Sequence, residues 1–265
     1  RRSTSLTHQL LGTAVPTPRN RRFKRAIREL RAIAAAMIED RRRAPSGADA
    51  LLAIYLGDDG AAEDQEALLD QVVPLLIVSH LTTSNTLTWT FYLLSQHPAV
   101  LHRARREVAD VLGERTPGLA EIERLGFVRA VIEESLRLYP PGWRLTRWVA
   151  DDDRIAGVTL PRGSCVFVSP WTTHRHPRLW EDPERFDPER FLGPPRERPR
   201  FAYFPFGGGL RQCVGARFAL LEATVVVAMV LQRLRLDLDP GQRVEPEALM
   251  TLSPKYGMRM RPVLP

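Results

Sequence analysis

Apolar residues recur at helical spacing through most of the first half of the chain. In each of these segments they fall three or four residues apart, which places them on one face of a helix. The longest segment starts near Asp64 and ends before Pro98, with Pro74 inside it. The pattern predicts helices at about 19–43, 49–56, 64–96, 100–112 and 127–138.

The pattern changes after Arg144, where short apolar and β-branched runs are separated by glycine and proline. Residues 180–191 are rich in proline and aromatic side chains, which is typical of an ordered loop held by packing. We therefore predict one mainly α domain with small β-sheets: a helical part at 17–139, a strand and loop part at 144–205, a glycine-rich loop and helix at 206–234, and C-terminal strands at 235–265. The predicted strands are 145–149, 158–160, 165–169, 234–238 and edge strands within 251–263.

The loop at 206–215, Phe-Gly-Gly-Gly-Leu-Arg-Gln-Cys-Val-Gly, places Cys213 just before the last long helix. Unpaired N–H groups and the helix dipole favour an anion there, so the pattern predicts a stable thiolate. Gly207 and Gly215 carry no side chains, which lets a large flat ligand approach. A single thiolate without a second cysteine or histidine nearby excludes a tetrahedral zinc site. The pattern taken alone also fits a buried structural cysteine beside a tight turn.

A polar run, Ser-His-Leu-Thr-Thr-Ser-Asn at 79–85, interrupts the longest helix. Pro74 removes a backbone hydrogen bond about one turn upstream, which favours a kink. Polar groups at the centre of a buried helix need partners. Two interpretations remain open: the run faces a ligand cavity, or its hydroxyls bond back to the helix backbone.

Glu134 and Arg137 lie three residues apart in the helix at 127–138, and therefore on one face. As an exposed pair they contribute little to stability. If they are buried, they must belong to a larger network, because an unpaired buried charge is strongly unfavourable.

The net charge is +7 and the pI is about 10.1, but the arginines are spread among acidic residues. We interpret this as a solvated surface, with an acidic protein partner as the second possibility and no nucleic acid. Two cysteines do not form a disulfide framework and fit a reducing compartment. No apolar run predicts a membrane span. The first residues contain neither Met nor a signal pattern, so we expect a piece of a longer chain.

Four features stand in a fixed order: a helix with a central Thr pair, Glu-x-x-Arg, Pro-Glu-Arg-Phe, and Phe-x-x-Gly-x-Arg-x-Cys-x-Gly. Together they resemble the cytochrome P450 family from about Pro16 to Met260, and the last motif is highly specific. The resemblance implies the cytochrome P450 fold without its N-terminal part. It also implies haem, iron protoporphyrin IX, as the cofactor, with its iron bound by a cysteine thiolate.

The resemblance assigns Cys213 as the iron ligand and places Phe206 beside the sulfur. It assigns Gly207 and Gly215 to the same cofactor-binding loop. It assigns Arg211 and Arg147 to the haem propionates. It also implies a buried network that holds the Pro-Glu-Arg-Phe segment against the core, formed by Glu134, Arg137 and Arg190.

On the substrate side, the resemblance places Thr82 where a hydroxyl assists proton delivery. The family usually has an acid before this threonine, whereas this chain has Leu81. Three outcomes fit this departure. His80 or ordered water takes over the relay of protons; the enzyme uses peroxide or catalyses a reaction that needs no oxygen activation; or its oxygen activation is poor. An apolar lining indicates a hydrophobic small-molecule substrate, with Val78, Leu81, Trp143, Leu145 and Leu252 as its residues.

The resemblance implies a monooxygenase that uses O₂ and electrons from a separate ferredoxin or flavodoxin type donor with its reductase. No Gly-x-Gly-x-x-Gly motif for a bound dinucleotide follows a suitable strand. The alternatives are a non-catalytic or degenerate haem-binding fragment and a peroxide-driven or non-oxygenating enzyme. A soluble, cytoplasmic enzyme of bacterial secondary metabolism fits the composition and the resemblance.

Overall fold

A computed structural model of the chain describes residues 15–43, 64–193 and 198–264. The helix predicted at 49–56 lies outside the described residues. The chain divides into two compact units, Arg1–Val78 and Ser79–Pro265.

Seven α-helices lie in the part of the chain that the structure describes, along with two short 3₁₀ turns at Pro188–Phe191 and Gly209–Arg211. The helices are α1 (Pro18–Arg43), α2 (Gln65–Gln96), α3 (Pro98–Leu112), α4 (Leu119–Glu123), α5 (Gly126–Leu138), α6 (Pro170–Thr173) and α7 (Ala216–Arg233). The long predicted helices are confirmed to within about two residues at each end, while α4 and α6 were not predicted. Helix α2 continues through Pro74, and the predicted kink there stays a prediction.

Eight short strands pair into four two-stranded antiparallel sheets: β1 with β4, β2 with β3, β5 with β8, and β6 with β7. Their bounds are β1 (Leu145–Trp148), β2 (Asp153–Ile155), β3 (Val158–Leu160), β4 (Cys165–Val168), β5 (Arg235–Leu238), β6 (Pro246–Ala248), β7 (Leu252–Pro254) and β8 (Met260–Val263). The register pairs Leu145 with Val168 and Arg147 with Val166. The mainly α fold with small sheets is thus confirmed, whereas β2 and β6 were missed.

In the unit Arg1–Val78, the described residues form a small core between α1 and the first turns of α2. Arg31 on α1 bridges Glu66 and Asp70 on α2. Two large apolar residues of α1, Phe23 and Met37, are exposed. The buried side chains are Ala34, Ile38, Leu68, Leu69, Val72 and Val73.

In the unit Ser79–Pro265, apolar stripes from the end of α2 and from α3, α5 and α7 form the main core. Helix α5 is buried on most sides, and its buried residues include the charged Glu134 and Arg137. Leu94 from α2 and Val227 from α7 are among the buried side chains of this core.

We predict that Leu94→Ala lowers the free energy of unfolding by about 2–5 kcal/mol, because it opens a cavity at a position that is 2% exposed. The matched control is Leu119→Ala, since Leu119 is also helical but 62% exposed. It should change the free energy of unfolding by less than about 0.5 kcal/mol. Urea unfolding followed by circular dichroism measures both, and equal losses in the two variants would contradict this core.

Candidate functional site

The loop before α7 is closed by hydrogen bonds within its own backbone. The Cys213 N–H donates to the Phe206 carbonyl at 2.9 Å, and the Gly207 N–H donates to the Phe204 carbonyl at 3.0 Å. Phe206 packs against the main core of its unit. The loop is therefore a fixed turn with one end in the core.

Cys213 is exposed, and it lies two residues before Gly215, the N-cap of α7. The first N–H groups of an α-helix have no partner inside the helix, and with the dipole they favour an anion at this end. The prediction of a cysteine just before a helix start is confirmed by this geometry. The alternative of a buried structural cysteine is wrong, because Cys213 is exposed.

At two glycines of the loop, a side chain would be unfavourable. Gly207 has φ +74°, a left-handed conformation that favours glycine. A Cβ on Gly208 would lie 2.6 Å from Cε1 of Phe201, closer than real contacts allow. The backbone can therefore approach a ligand or a ring closely along this segment.

Arg147 and Arg211 are both exposed cations near the loop. Arg147 shares a face of β1 with Leu145, whose Cδ1 would lie 3.5 Å from a Cβ on Gly207. A cavity of about 340 Å³ is lined by Leu145, Arg147 and Gly208, among others. Neither guanidinium forms an ion pair with a carboxylate among the residues that the structure describes. Both cations are therefore available to an anionic ligand.

Glu134 and Arg137 are fully buried, and they form a two-pronged ion pair on α5. Nε and Nη2 of Arg137 donate to the Glu134 carboxylate at 2.7 and 2.8 Å. Burial raises the pKa of Glu134, while the hydrogen bonds and charge of Arg137, the hydrogen bond from the Asp187 N–H and the charge of Arg190 oppose that shift. Nε of Arg190 lies 3.5 Å from Oε1 of Glu134. The predicted network is brought together, and the exposed-pair interpretation is wrong.

Arg137 uses all five of its N–H donors. Beyond Glu134, it donates to the carbonyls of His174 at 2.8 Å, Pro183 at 2.6 Å and Arg185 at 3.0 Å. Arg190 adds a hydrogen bond to the Asp182 carbonyl at 3.0 Å. One buried guanidinium thus holds a loop that has almost no backbone ladder of its own.

A family model described as cytochrome P450 matches residues 5–260 of the chain. This chain belongs to the cytochrome P450 family.

Several curated relatives show the same similarity. Cyclooctat-9-en-7-ol 5-monooxygenase of Streptomyces melanosporofaciens is 42% identical, over 86% of this chain and 50% of its own length. Pentalenene oxygenase of Streptomyces avermitilis is 36% identical, over 93% of this chain and 56% of its own length. Cytokinin hydroxylase of Arabidopsis thaliana is 30% identical, over 93% of this chain and 50% of its own length. The chain spans about half the length of the curated relatives it matches.

Haem is the cofactor of cytochromes P450, and the residues around Cys213 suit it. A thiolate is a soft ligand for iron, and the two unpaired arginines match the two propionates. Apolar residues that are exposed beside the loop, Leu210, Val214 and Phe218, offer surface that a flat apolar ring system can cover. The individual assignments of Cys213 and the two arginines to haem remain predictions.

Within the polar run on α2, the Ser84 hydroxyl donates back to the Leu81 carbonyl at 3.1 Å, and the Asn85 amide donates to the Thr251 hydroxyl at 2.9 Å. After the run, the hydroxyls of Thr86, Thr88 and Thr90 each donate to the carbonyl four residues earlier, at 2.7–2.9 Å. Thr82 is half-buried and His80 is exposed, so both side chains lie at the less covered end of the run. Back-bonding therefore accounts for the later hydroxyls, and the roles of Thr82 and His80 stay predictions.

The predicted substrate-lining residues fall into different environments. Leu81, Trp143 and Leu145 are half-buried. Leu252 is only 2% exposed, and its backbone carbonyl accepts a hydrogen bond from the Trp89 indole at 3.1 Å. The structure thus shows Leu252 packed in the interior, and its lining role stays a prediction. Val78 is exposed and belongs to the unit Arg1–Val78, so its role is also untested.

Three further residues of the Cys213 region were missed in the sequence. His174 is fully buried and accepts a hydrogen bond from the Phe204 N–H at Nε2, at 2.9 Å. The Tyr203 hydroxyl donates to the Glu133 carbonyl at 2.9 Å, and the Trp180 indole donates to the Ala202 carbonyl at 3.2 Å. Burial lowers the pKa of His174 to about 3. Only Trp180 lies in the aromatic-rich segment 180–191, and no pattern in the sequence indicated His174 or Tyr203.

Helix α2 is, among the described residues, the one helix whose length and composition would allow it to cross a membrane. The core helices of soluble proteins satisfy the same criterion. The prediction that the chain has no membrane segment therefore stays a prediction.

We predict that Arg137→Met lowers the free energy of unfolding by about 3–5 kcal/mol, because it leaves the Glu134 charge buried without its main partner. The matched control is Arg129→Met on the same helix, since the Arg129 side chain is exposed and forms only a longer pair, at 3.8 Å, with the partly buried Glu133. The control should lose no more than about 1 kcal/mol. Denaturant unfolding measures both variants, and similar small losses would show that the buried network contributes little to the free energy of unfolding.

Proposed function

We propose that this cytochrome P450 is a haem-thiolate monooxygenase that inserts one oxygen atom from O₂ into a hydrophobic small molecule. The observation that carries the proposal is an exposed Cys213, held just before the N-terminus of α7 by a loop closed on Phe206. The family match and the monooxygenase names of relatives support the reaction type. Haem, when bound, supplies oxygen activation and electron transfer.

The protein's own residues hold the cofactor in this proposal. The Cys213 sulfur binds the iron, and the helix end behind it favours the anionic sulfur. Arg147 and Arg211 pair with the two propionates. Phe206 closes the sulfur side of the loop, and Gly207 and Gly215 keep side chains away from the ring. The network on α5 keeps this loop fixed to the core.

Thr82 and His80 form the proton-delivery side of the proposal. The Thr82 carbonyl accepts from the Thr86 hydroxyl at 2.9 Å, which occupies a helix carbonyl near the proposed relay. The Leu81 side chain has no ionisable proton to donate, so the exposed His80 or water must replace the usual acid. Oxygen activation is then expected to depend on solvent access to this end of α2.

A hydrophobic, terpenoid-like substrate suits the apolar side chains of Leu81, Trp143 and Leu145. Two relatives are named for cyclooctat-9-en-7-ol and for pentalenene, which supports a compound of this class. The Trp143 indole donates to the Leu249 carbonyl at 2.9 Å, which fixes the orientation of the Trp143 ring in the proposed apolar wall. The apolar wall then orients the substrate by shape, since it offers few polar contacts.

Electrons come in this proposal from a separate ferredoxin or flavodoxin type protein with its reductase. Arg211 and Arg217 are exposed beside Cys213, and they suit an acidic donor. A cytoplasmic location fits such soluble partners and the bacterial relatives.

A second candidate function rests on Leu81. Without an acid before Thr82, a peroxide-driven or non-oxygenating haem-thiolate enzyme remains consistent with the sequence. A non-catalytic haem-binding protein is the third candidate. Product formed with O₂ and a reconstituted electron donor supports the first proposal. Product formed only with added peroxide and no reductase supports the second, and no product under either condition supports the third.

We predict that Cys213→Ser abolishes the thiolate signature in the carbon monoxide difference spectrum of the reduced, haem-loaded protein. Serine removes the soft sulfur ligand while keeping the shape of the loop. The matched control is Cys165→Ser, which alters the other exposed cysteine, on β4. The control should keep the wild-type spectrum. A wild-type protein without the thiolate signature would exclude the proposed function.

We predict that Leu81→Glu increases the fraction of electrons that ends in product, because it restores an acid to the proton relay. The gain has an upper bound of the ~10²–10⁴-fold that a general acid contributes. The matched control is Leu81→Gln, which has a similar shape but does not ionise. Product formed per NADPH consumed measures both variants. Unchanged coupling in Leu81→Glu would place the relay elsewhere.

A further inference from the structure

His174 directly follows α6, and its side chain is fully buried in the unit Ser79–Pro265. It lies between two features that are far apart in sequence: the buried network on α5 and the loop that carries Cys213. Its backbone contacts the first feature, and its imidazole contacts Phe204, which lies two residues before the second.

On the network side, the His174 carbonyl accepts a hydrogen bond from Nη1 of Arg137 at 2.8 Å. A hydrogen bond from a charged donor is stronger than a neutral one. Arg137 is itself fixed by the Glu134 carboxylate, so the position of the His174 backbone follows that of the network.

On the loop side, Nε2 of His174 accepts the N–H of Phe204 at 2.9 Å. This bond requires an unprotonated Nε2, so the ring carries its proton on Nδ1, which is buried without a hydrogen-bond partner among the described residues. The Phe204 carbonyl then accepts from Gly207 at 3.0 Å, and the Phe206 carbonyl accepts from Cys213 at 2.9 Å. Four hydrogen bonds, joined by short stretches of the covalent chain, thus connect Arg137 with the cysteine.

The imidazole bond matters because Phe204 lies outside any strand, so no sheet ladder pairs its N–H. Phe204 is itself buried, and a buried N–H without a partner is strongly unfavourable. The His174 ring also contacts the rings of Tyr203 and Phe204, each at 5.2 Å between centroids. The ring is thus held in the orientation that the Phe204 bond needs.

We propose that His174 is the positioning residue that fixes the Cys213 loop to the Glu134, Arg137 and Arg190 network. The proposal rests on the proposed function in one respect, since the purpose of the fixed loop is to present the sulfur to haem iron. The role of His174 in ordering the loop does not require haem. The lowered pKa of His174, about 3, agrees with a ring that stays neutral and keeps Nε2 as an acceptor.

The test compares three substitutions at His174. His174→Gln places an amide oxygen near the position of Nε2 and keeps an acceptor for Phe204. His174→Leu has no acceptor, and His174→Asn is too short to reach the same N–H. The matched control is Tyr203→Phe, which removes the bond to the Glu133 carbonyl but leaves the His174 bond intact.

The first measurement is amide hydrogen exchange of the segment 202–207, which needs no haem. We expect His174→Leu and His174→Asn to exchange at least about tenfold faster there, because the Phe204 N–H loses its partner. His174→Gln and Tyr203→Phe should keep exchange within about threefold of the wild-type rate. If His174→Leu does not fold, the Asn and Gln pair gives the same comparison.

The second measurement is the thiolate signature of the reduced, haem-loaded protein with carbon monoxide. We expect the Leu and Asn variants to lose the signature at lower denaturant than they lose helical structure, and the Gln variant to lose both together, as the wild type does. A thiolate signature and exchange rates that match the wild type in the Leu and Asn variants would overturn the proposal. A wild type without the signature, with faster exchange in the Leu and Asn variants, would exclude the proposed function while supporting the ordering role.

Discussion

The region around Cys213 depends on one buried ion pair, between Glu134 and Arg137. Charges are costly to bury, and the pair persists because every N–H of the Arg137 guanidinium has an acceptor. Three of those acceptors are backbone carbonyls of the segment 174–185. The ion pair therefore replaces the backbone ladder that this segment lacks, and the helix that carries it is the fixed reference for the loop.

The consequence for the site is that hydrogen bonds link the cysteine to the network although it does not lie in a regular element. The carbonyl of His174 is bound to the network, while its imidazole is bound to Phe204 and so to the loop. The thiol itself remains exposed, at the electropositive end of α7. A rigid support and an open sulfur together are what a metal ligand for a large cofactor requires.

Much of the fold followed from local pattern. Long apolar periodicity identified α2, α3, α5 and α7, because many repeats of one face outweigh any single exception. The short strand Val158–Leu160 was predicted at its observed bounds only because Gly157 and Pro161 mark its two ends. The helix Leu119–Glu123 and the strands Asp153–Ile155 and Pro246–Ala248 were missed, because three to five residues give too few repeats to show a period. Tertiary contacts stabilise such short elements.

For the site, the sequence by itself determined the motif order, the cysteine before a helix and the i, i+3 spacing of Glu134 and Arg137. These depend on neighbours along the chain. Only the tertiary structure decided that the pair is buried, that its acceptors are the carbonyls of His174, Pro183 and Arg185, and that His174 meets Phe204. The physical reason is that backbone carbonyls are identical in every residue type. Which of them meets a buried guanidinium depends on how the chain folds back.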